Sequence, residues 1–247
     1  MKVLIITGSS SGIGYSLSKK FSKKYFIVGI SKYSEKARDY NHIDIKIKLN
    51  INNHLLLKKK LVQFLNKHKN DIDELNFLFC AGIMGEPKSS LNANITHWKK
   101  TLDTNLFSNL LVLNQFKKLI SKVNIRVMFF SGGGAAYDYP VFPAYAISKV
   151  STVKLVENLE EDLKNEKKFI IIALSPGSQR TRMQALVRKH GGYIKTKSNL
   201  TNLHFFVDVF LKTYRKEISG RLFHVNENIN KIKIKNKNSY KLRRVEK

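Results

Sequence analysis

Residues 1–14 of the chain read MKVLIITGSSSGIG, and this stretch decides the fold. An apolar run ends in a glycine-rich turn, and the residues that follow have the period of a helix over Ile13–Lys24. Gly8 permits a tight turn, Gly12 lets the backbone approach a pyrophosphate, and Gly14 permits close packing of helix on strand. The helix N-terminus offers free N–H groups to phosphate. The stretch therefore predicts a buried strand followed by a dinucleotide-binding turn.

The rest of the chain alternates short apolar runs with longer segments of helical period. This alternation is typical of βαβ units and a parallel sheet. We predict a single doubly wound α/β sheet of about seven parallel strands, with helices on both faces. The predicted strands are Lys2–Thr7, Tyr25–Ile30, Ile43–Leu49, Asn76–Cys80, Ile125–Ser131, Phe169–Leu174 and Arg221–Val225. The predicted helices are Ile13–Lys24, Asn53–Lys69, Ile95–Lys122, Tyr145–Asn165 and Leu203–Lys216.

The domain organisation follows from length and composition. The chain has 247 residues, 43% of them hydrophobic, which is enough for one sizeable core. We predict a dinucleotide-binding catalytic domain over residues 1–229 and a basic C-terminal tail over 230–247. The polar segment Gln179–Leu200 follows a predicted strand, where such sheets bind ligands, and is interpreted as a mobile substrate lid.

The formal net charge is +27, from 45 Lys and Arg against 18 Asp and Glu. A charge of this size raises the question of a nucleic-acid or anionic-membrane partner. The positive residues are mostly Lys and are spread along the whole chain, which favours a solvated basic surface and makes a nucleic-acid partner unlikely. A charge that attracts an anionic substrate or cofactor stays open as an alternative.

The single cysteine, Cys80, excludes an internal disulfide and a Cys-based zinc site. One cysteine also fits a reducing compartment. The seven histidines have no metal-ligand spacing, so no metal site is expected. The apolar run Val3–Ile6 is too short for a signal sequence or a membrane span, and we expect a cytoplasmic protein.

Tyr145 and Lys149 lie four residues apart on a predicted helix, and therefore share one face. A nearby ammonium makes a phenol a better proton donor and acceptor near neutral pH. Together with the turn Thr-Gly-x-x-x-Gly-x-Gly, this pair resembles the short branch of the short-chain dehydrogenase/reductase family, over roughly Lys2 to Val225. The resemblance implies hydride transfer between a nicotinamide cofactor and a carbonyl or alcohol. It also implies that Tyr145 is the acid/base and that Lys149 holds the nicotinamide ribose.

Ser131 begins the run Ser-Gly-Gly-Gly at the end of the fifth predicted strand. The family places a serine there to hydrogen-bond the substrate carbonyl. Ser131 precedes Tyr145 by 14 positions, and the usual family spacing is one shorter, which corresponds to Gly132. Either the loop carries one extra residue and Ser131 serves, or the serine role has been altered. We name Ser131 as the catalytic serine, because the three glycines make such a bulge cheap.

Other motifs of the family recur in order. Asn105 matches a helix asparagine that helps hold a proton-relaying water. The family's strand-four motif appears as Phe79-Cys80-Ala81-Gly82, so Cys80 stands where an asparagine usually braces the sheet. The implied cofactor contacts are Thr7, Gly8, Ser10, Ser11, Gly12, Ile13, Gly14, Ser31, Lys32, Asn50, Ala81, Gly82, Tyr145, Lys149, Pro176, Gly177 and Thr181.

The end of the second strand predicts a preference for NADP(H) over NAD(H). NAD enzymes of this architecture carry an acidic residue there for the adenine-ribose hydroxyls. This chain has Ser31-Lys32-Tyr33, with no acid until Glu35. Lys32 can offer an ammonium to a 2′-phosphate, and Ser31 can offer a hydroxyl.

The predicted partner is a small carbonyl or alcohol substrate, for which a nucleotide-linked sugar, a keto-acyl thioester and a small ketone stay open. Arg180, Arg182, Arg188 and Lys189 in the lid suit an anionic substrate. The resemblance also implies a homodimer or homotetramer that pairs through the two long helices. Two alternatives remain. One is a catalytically quiet regulatory or scaffold protein. The presence of both Tyr145 and Lys149 argues against this alternative. The other is an extended-branch sugar epimerase or dehydratase, which has a different glycine spacing.

Overall fold

Seven strands form one fully parallel sheet in the computed structural model, which describes residues 1–32, 39–191 and 198–231. The strands are β1 Lys2–Thr7, β2 Phe26–Ser31, β3 Ile45–Lys48, β4 Glu74–Phe79, β5 Asn124–Phe130, β6 Phe169–Ser175 and β7 Arg221–His224. Their order is β3-β2-β1-β4-β5-β6-β7, so the direction of winding reverses between β1 and β4. The predicted doubly wound α/β fold is confirmed.

Helices cover both faces of the sheet. They are α1 Gly12–Phe21, α2 His54–His68, α3 Ile95–Leu102, α4 Ser108–Gln115, α5 Pro143–Asp162, α6 Arg182–Lys189 and α7 Leu200–Lys212. Alternate residues of β1 serve the two faces, because side chains along a strand point to opposite sides. Val3 and Ile5 pack into the core layer that holds residues of α2, α4 and α5. Leu4 and Ile6 pack into the layer that holds residues of α1 and α7.

The predicted long helix Ile95–Lys122 is interrupted. A π-helical segment, Asp103–Phe107, joins α3 to α4, and the helix ends at Gln115 before a short 3-10 turn at Lys117–Leu119. A π segment inserts one extra residue into a helix and is frequent at functional sites. The π segment contains Asn105, a residue for which the sequence analysis predicts a functional role.

The second long helix begins at Pro143, two residues earlier than predicted, because proline suits the first helical turn, where its missing N–H is not needed. Val153 and Val156, along one side of this helix, are buried in the core of this chain, and Leu159 packs against that core, so this side is not available to a partner.

A buried ion pair crosses the amino-terminal end of the sheet. Arg126 on β5 is 1% exposed and lies 3.1 Å from the carboxylate of Glu74 on β4. Its Nε donates to the backbone carbonyl of Thr213 at 2.7 Å, and its guanidinium stacks over the Tyr214 ring at 4.6 Å. The pair therefore ties two central strands to the chain that follows α7.

Two predicted segments fall partly outside the described residues: positions 192–197 of the lid and 232–247 of the basic tail. The described part of the lid is not an open loop, because α6 occupies Arg182–Lys189. Among the residues that the structure describes, no helix has the length and apolar character that crossing a membrane requires.

Candidate active site

A cavity of about 530 Å³ opens at the carboxyl ends of the central strands. It lies beside the reversal of winding between β1 and β4, which is where open parallel sheets bind ligands. Most residues predicted to bind the cofactor or act on the substrate line it. These are Gly8, Ser11, Gly12, Ile13, Ala81, Gly82, Ser131, Tyr145, Lys149, Pro176, Gly177 and Thr181.

The glycine-rich turn is packed too closely for side chains at two of its positions. Gly8 has φ +69°, and a Cβ atom there would lie 2.9 Å from the backbone N and Cα of Ala81. A Cβ at Gly14 would lie 2.4 Å from the carbonyl oxygen of Gly8. At Gly12 the nearest atom to such a Cβ is the Thr181 methyl at 3.6 Å. The turn is thus closed behind and open toward the cavity, as a cradle for a pyrophosphate requires.

Thr7 lies behind this cradle. Its hydroxyl accepts a hydrogen bond from the Ala81 N–H at 3.0 Å and donates to Asn109 Oδ1 at 2.8 Å. Asn109 in turn donates to the backbone carbonyl of Asn105 at 3.2 Å. Thr7 therefore positions the loop after β4. This network braces the sheet where Cys80 replaces the asparagine of the family pattern.

The hydroxyls of Ser10 and Ser31 lie 2.6 Å apart at the carboxyl end of β2. Tyr40 donates to the backbone carbonyl of Ser10 at 3.1 Å, and the exposed Lys32 follows directly. Asn50 is exposed in the turn before α2. Ser10 and Ser31 form one polar pair, Lys32 is the next residue of the chain, and none of the three lines the main cavity.

Tyr145 and Lys149 lie in the first two turns of α5 and are 9% and 6% exposed. The Lys149 ammonium lies 5.4 Å from the centre of the Tyr145 ring and donates to the Phe130 carbonyl at 2.7 Å. Burial lowers the pKa of Lys149 to about 8. Burial raises the pKa of Tyr145, and a charge on Tyr139 adds to that rise. The expected lowering of the Tyr145 pKa by Lys149 does not occur here, because burial of the phenol dominates.

Ser131 is turned away from the Tyr145 hydroxyl. It is 3% exposed, and its Oγ donates to the backbone carbonyl of Lys149 at 3.3 Å. The position that faces Tyr145 is Gly132, where a Cβ atom would lie 2.9 Å from the phenol oxygen. This contact differs from the one expected for a catalytic serine, and Gly132 takes the place beside Tyr145 that the family spacing gives to the serine.

Asn105 joins the loop after β4 to α5. Its Oδ1 accepts from the Ile83 N–H at 2.8 Å, and its Nδ2 donates to the Ile83 carbonyl at 3.0 Å and to Ser148 Oγ at 2.8 Å. A Cβ at Gly82 would lie 3.4 Å from Asn105 Oδ1 and 3.9 Å from Lys149 Nζ. Asn105 thus stands next to the ammonium of Lys149 without lining the cavity.

On the far side of the cavity, Tyr139 and the helical form of the predicted lid were not foreseen from the sequence. Tyr139 packs against Tyr145 with 5.8 Å between ring centres and against Phe142 at 6.4 Å. Thr181 caps α6 by accepting a hydrogen bond from the Gln184 N–H at 3.3 Å. A Thr followed three residues later by Gln is a sequence mark of a helix start that could have revealed α6. The wall is completed by the largely apolar side chains of Met84, Val141, Met183 and Val187.

Comparison with known proteins identifies the family. The family model described as short chain dehydrogenase matches residues 2–191. The chain is 24% identical to a benzil reductase ((S)-benzoin forming) from Bacillus cereus, over 84% of this chain and 85% of that protein.

Two solved structures share the fold. One is 4-hydroxyisoleucine dehydrogenase complexed with NADH and succinate, with a TM-score of 0.76, 21% identity and coverage of 90% of this chain and 97% of that one. The other is ElxO with NADP bound, with a TM-score of 0.75, 17% identity and coverage of 91% and 96%. With the family model matching most of its length and the Tyr145–Lys149 pair set beside the glycine cradle, the chain belongs to the short-chain dehydrogenase/reductase family of oxidoreductases.

Proposed function

We propose that this oxidoreductase reversibly converts a carbonyl to an alcohol, with Tyr145 exchanging the proton at the substrate oxygen. One observation carries the proposal. The phenol of Tyr145 and the ammonium of Lys149 line the same cavity as the glycine-rich turn. A substrate held there lies between the proton donor and the cofactor cradle, which is the arrangement that general acid–base catalysis needs.

The residues of the cavity fit a nicotinamide cofactor. Gly8 and Gly12 hold the turn open for a pyrophosphate, and Ala81 and Gly82 present backbone without bulky side chains. When bound, the cofactor supplies or accepts the hydride. Lys149 is proposed to hold the nicotinamide ribose, which its position near Gly82 supports, and Thr181 lies near Gly12 at the start of α6.

The phenol of Tyr145 is protonated at neutral pH, as an ordinary tyrosine is, and can therefore give a proton to a carbonyl oxygen. Burial raises the pKa of Tyr145, so the leaving of that proton needs a nearby positive charge. With a pKa of about 8, Lys149 is mostly protonated at pH 7. Its ammonium then stabilises the negative charge that develops on Tyr145 as the proton leaves. Asn105 fixes the loop beside that ammonium and is proposed to support the relay that returns a proton to Tyr145.

We propose that NADP(H) is preferred over NAD(H). The support is the group formed by Ser10, Ser31 and Lys32 at the end of β2, which offers two hydroxyls and an ammonium with no carboxylate among them. A 2′-phosphate can accept hydrogen bonds from such donors. Thermal unfolding with each cofactor at equal concentration tests the preference, since the tighter ligand raises the midpoint more. Equal midpoints, or a Lys32→Ala variant with an unchanged ratio, contradict it.

The substrate is proposed to carry an apolar group beside its carbonyl and an anionic group farther out. Met84, Phe142 and Val187 line the space next to Tyr145 with hydrocarbon. Arg182 lines the same cavity at an exposed position, where its guanidinium can meet a negative charge. Benzil tests the apolar part of this proposal, and acetoacetyl-CoA tests the combination of an acyl group with anionic phosphates.

Tyr145→Phe is the deciding variant, because it removes one oxygen and keeps the ring. We expect NADPH oxidation with these ketones to fall by about two to four powers of ten, the usual scale of general acid–base catalysis. NADPH affinity should stay within a few-fold of wild type. Turnover at the wild-type rate by Tyr145→Phe contradicts the proposed function.

A further inference from the structure

Tyr145 supplies one hydrogen-bond donor to the substrate carbonyl oxygen, which has two lone pairs. A carbonyl that becomes an alkoxide is best stabilised by donors placed in advance around its oxygen. Tyr145 is one such donor. Ser131 is not available as the second, because its Oγ donates to the Lys149 carbonyl at 3.3 Å. Gly132, which faces Tyr145, has no side chain.

The place next to Gly132 is already filled by Tyr145 itself. A Cβ atom on Gly132 would lie 2.9 Å from the phenol oxygen and 3.9 Å from Cζ. No side chain fits at position 132 unless the Tyr145 hydroxyl moves. A second donor must therefore approach the substrate oxygen from another wall of the cavity.

Two glutamines on the other walls are engaged. Gln179 donates to the Pro176 carbonyl at 2.7 Å and to Ser198 Oγ at 3.0 Å. Gln184 donates to Ser178 Oγ at 2.6 Å. These groups hold the loop after β6 and the start of α6 in place. They are poor candidates for a donor that must turn toward a substrate.

Tyr139 differs from them in three respects. It lines the cavity and is half-buried, and its hydroxyl makes no hydrogen bond within residues 1–32, 39–191 and 198–231. Its ring centre lies 5.8 Å from that of Tyr145, with the planes tilted by 43°. The two phenols are close enough for charge on one to affect the other. The phenol of Tyr139 thus stands beside the acid/base with its donor free.

We propose that Tyr139 is a second catalytic residue, whose hydroxyl donates a hydrogen bond to the substrate carbonyl oxygen in place of the missing serine. The inference rests on the proposed function, since it concerns the same oxygen. During reduction Tyr145 gives its proton to that oxygen, while Tyr139 keeps its own proton and only donates a hydrogen bond. The substrate carbonyl then lies between the two phenols.

Tyr139→Phe tests the inference by kinetics. With NADPH and a panel of ketones that includes benzil and acetoacetyl-CoA, we expect kcat to fall about one hundredfold, the scale of losing one preorganised donor to a developing oxyanion. KM for the ketone should change little, and NADPH affinity and thermal midpoint should match wild type. The matched control is Tyr214→Phe, whose ring is 67% exposed at the opposite end of the sheet; we expect wild-type kinetics.

A second readout does not depend on turnover. Carbonyl-labelled ¹³C-benzil bound to the protein with NADP⁺ cannot be reduced, and each hydrogen bond to its oxygen lowers the carbonyl stretching frequency. In Tyr139→Phe we expect that frequency to move back toward the value of free benzil. An unchanged frequency overturns the inference.

The outcomes separate the two proposals. If wild type reduces a ketone, Tyr145→Phe does not, and Tyr139→Phe matches wild type, then Tyr139 is not a donor and the proposed function stands. If wild type binds NADPH but reduces no ketone of the panel, the proposed function fails and the role of Tyr139 fails with it.

Discussion

The ammonium of Lys149 donates a 2.7 Å hydrogen bond to the backbone carbonyl of Phe130, the last residue of β5. This contact joins the second turn of α5 to the strand end that carries Ser131. The carbonyl is a neutral acceptor and does not balance the positive charge of the buried ammonium. Burial therefore lowers the pKa of Lys149 to about 8.

The pH dependence of reduction should follow from this pKa. Below pH 8 Lys149 is protonated and supports proton donation by Tyr145; as pH rises through about 8 the ammonium is lost, and kcat/KM should fall. The measurement is kcat/KM for NADPH-dependent ketone reduction between pH 6 and 10, because kcat/KM reports the free enzyme. A flat profile up to pH 10 would show that the charge on Lys149 does not matter.

Ser131→Ala should leave most of the activity. The Ser131 hydroxyl donates to a backbone carbonyl within the fold, so its loss should cost about 1 kcal/mol of unfolding free energy and only a few-fold in kcat. Urea unfolding and NADPH oxidation measure the two effects. A hundredfold loss of kcat, with stability unchanged, would return Ser131 to the role of the substrate-binding serine.

Breaking the buried pair of Arg126 and Glu74 should destabilise the fold strongly. Arg126→Met leaves a carboxylate buried at 8% exposure with its nearest cation, Lys2, at 3.8 Å, and should cost about 3–5 kcal/mol in urea unfolding. Adding Glu74→Gln should recover part of that loss, because the uncompensated charge is gone. The control Arg188→Met, on the exposed side of α6, should change stability by less than about 0.5 kcal/mol. If Arg126→Met and Arg188→Met lower the free energy of unfolding equally, the buried ion pair does not stabilise the fold more than an exposed arginine does.

Formation of a homo-oligomer remains a prediction, and the residues now expected at the interface are the exposed apolar side chains of the two helical units. Phe107 is 52% exposed on the π segment and Ile147 is 45% exposed on α5, so each long helical unit presents an apolar side chain to solvent. Light scattering at micromolar concentration should give a dimer or tetramer, and Phe107→Glu should lower the mass. A monomeric wild type refutes the prediction.

The fold could be predicted because the sequence patterns that indicate it each lie within a short stretch of the chain. Each βα unit shows a short apolar run and a helical period, and Gly8, Gly12 and Gly14 are spaced for one kind of turn. The pairing of Tyr145 with Lys149 is equally local, since residues four apart on a helix share a face whatever surrounds them. The start of α6 was also readable, from Thr181 and Gln184, but the polar composition of the segment outweighed that mark.

What the sequence by itself determined is therefore the sheet, its glycine-rich turn and the pairing of Tyr145 with Lys149 on one helix face. Only the tertiary structure decided which way Ser131 points, because neighbouring residues at a strand end face opposite sides and the choice depends on how β5 and α5 meet. Burial decided the pKa values of Tyr145 and Lys149, since the dielectric surroundings of a side chain come from elements far away in the chain. The same packing brings Tyr139 beside Tyr145, which lies six residues further along the chain. The loop that contains Tyr139 has no helical or strand period, so the sequence pattern could not predict this contact.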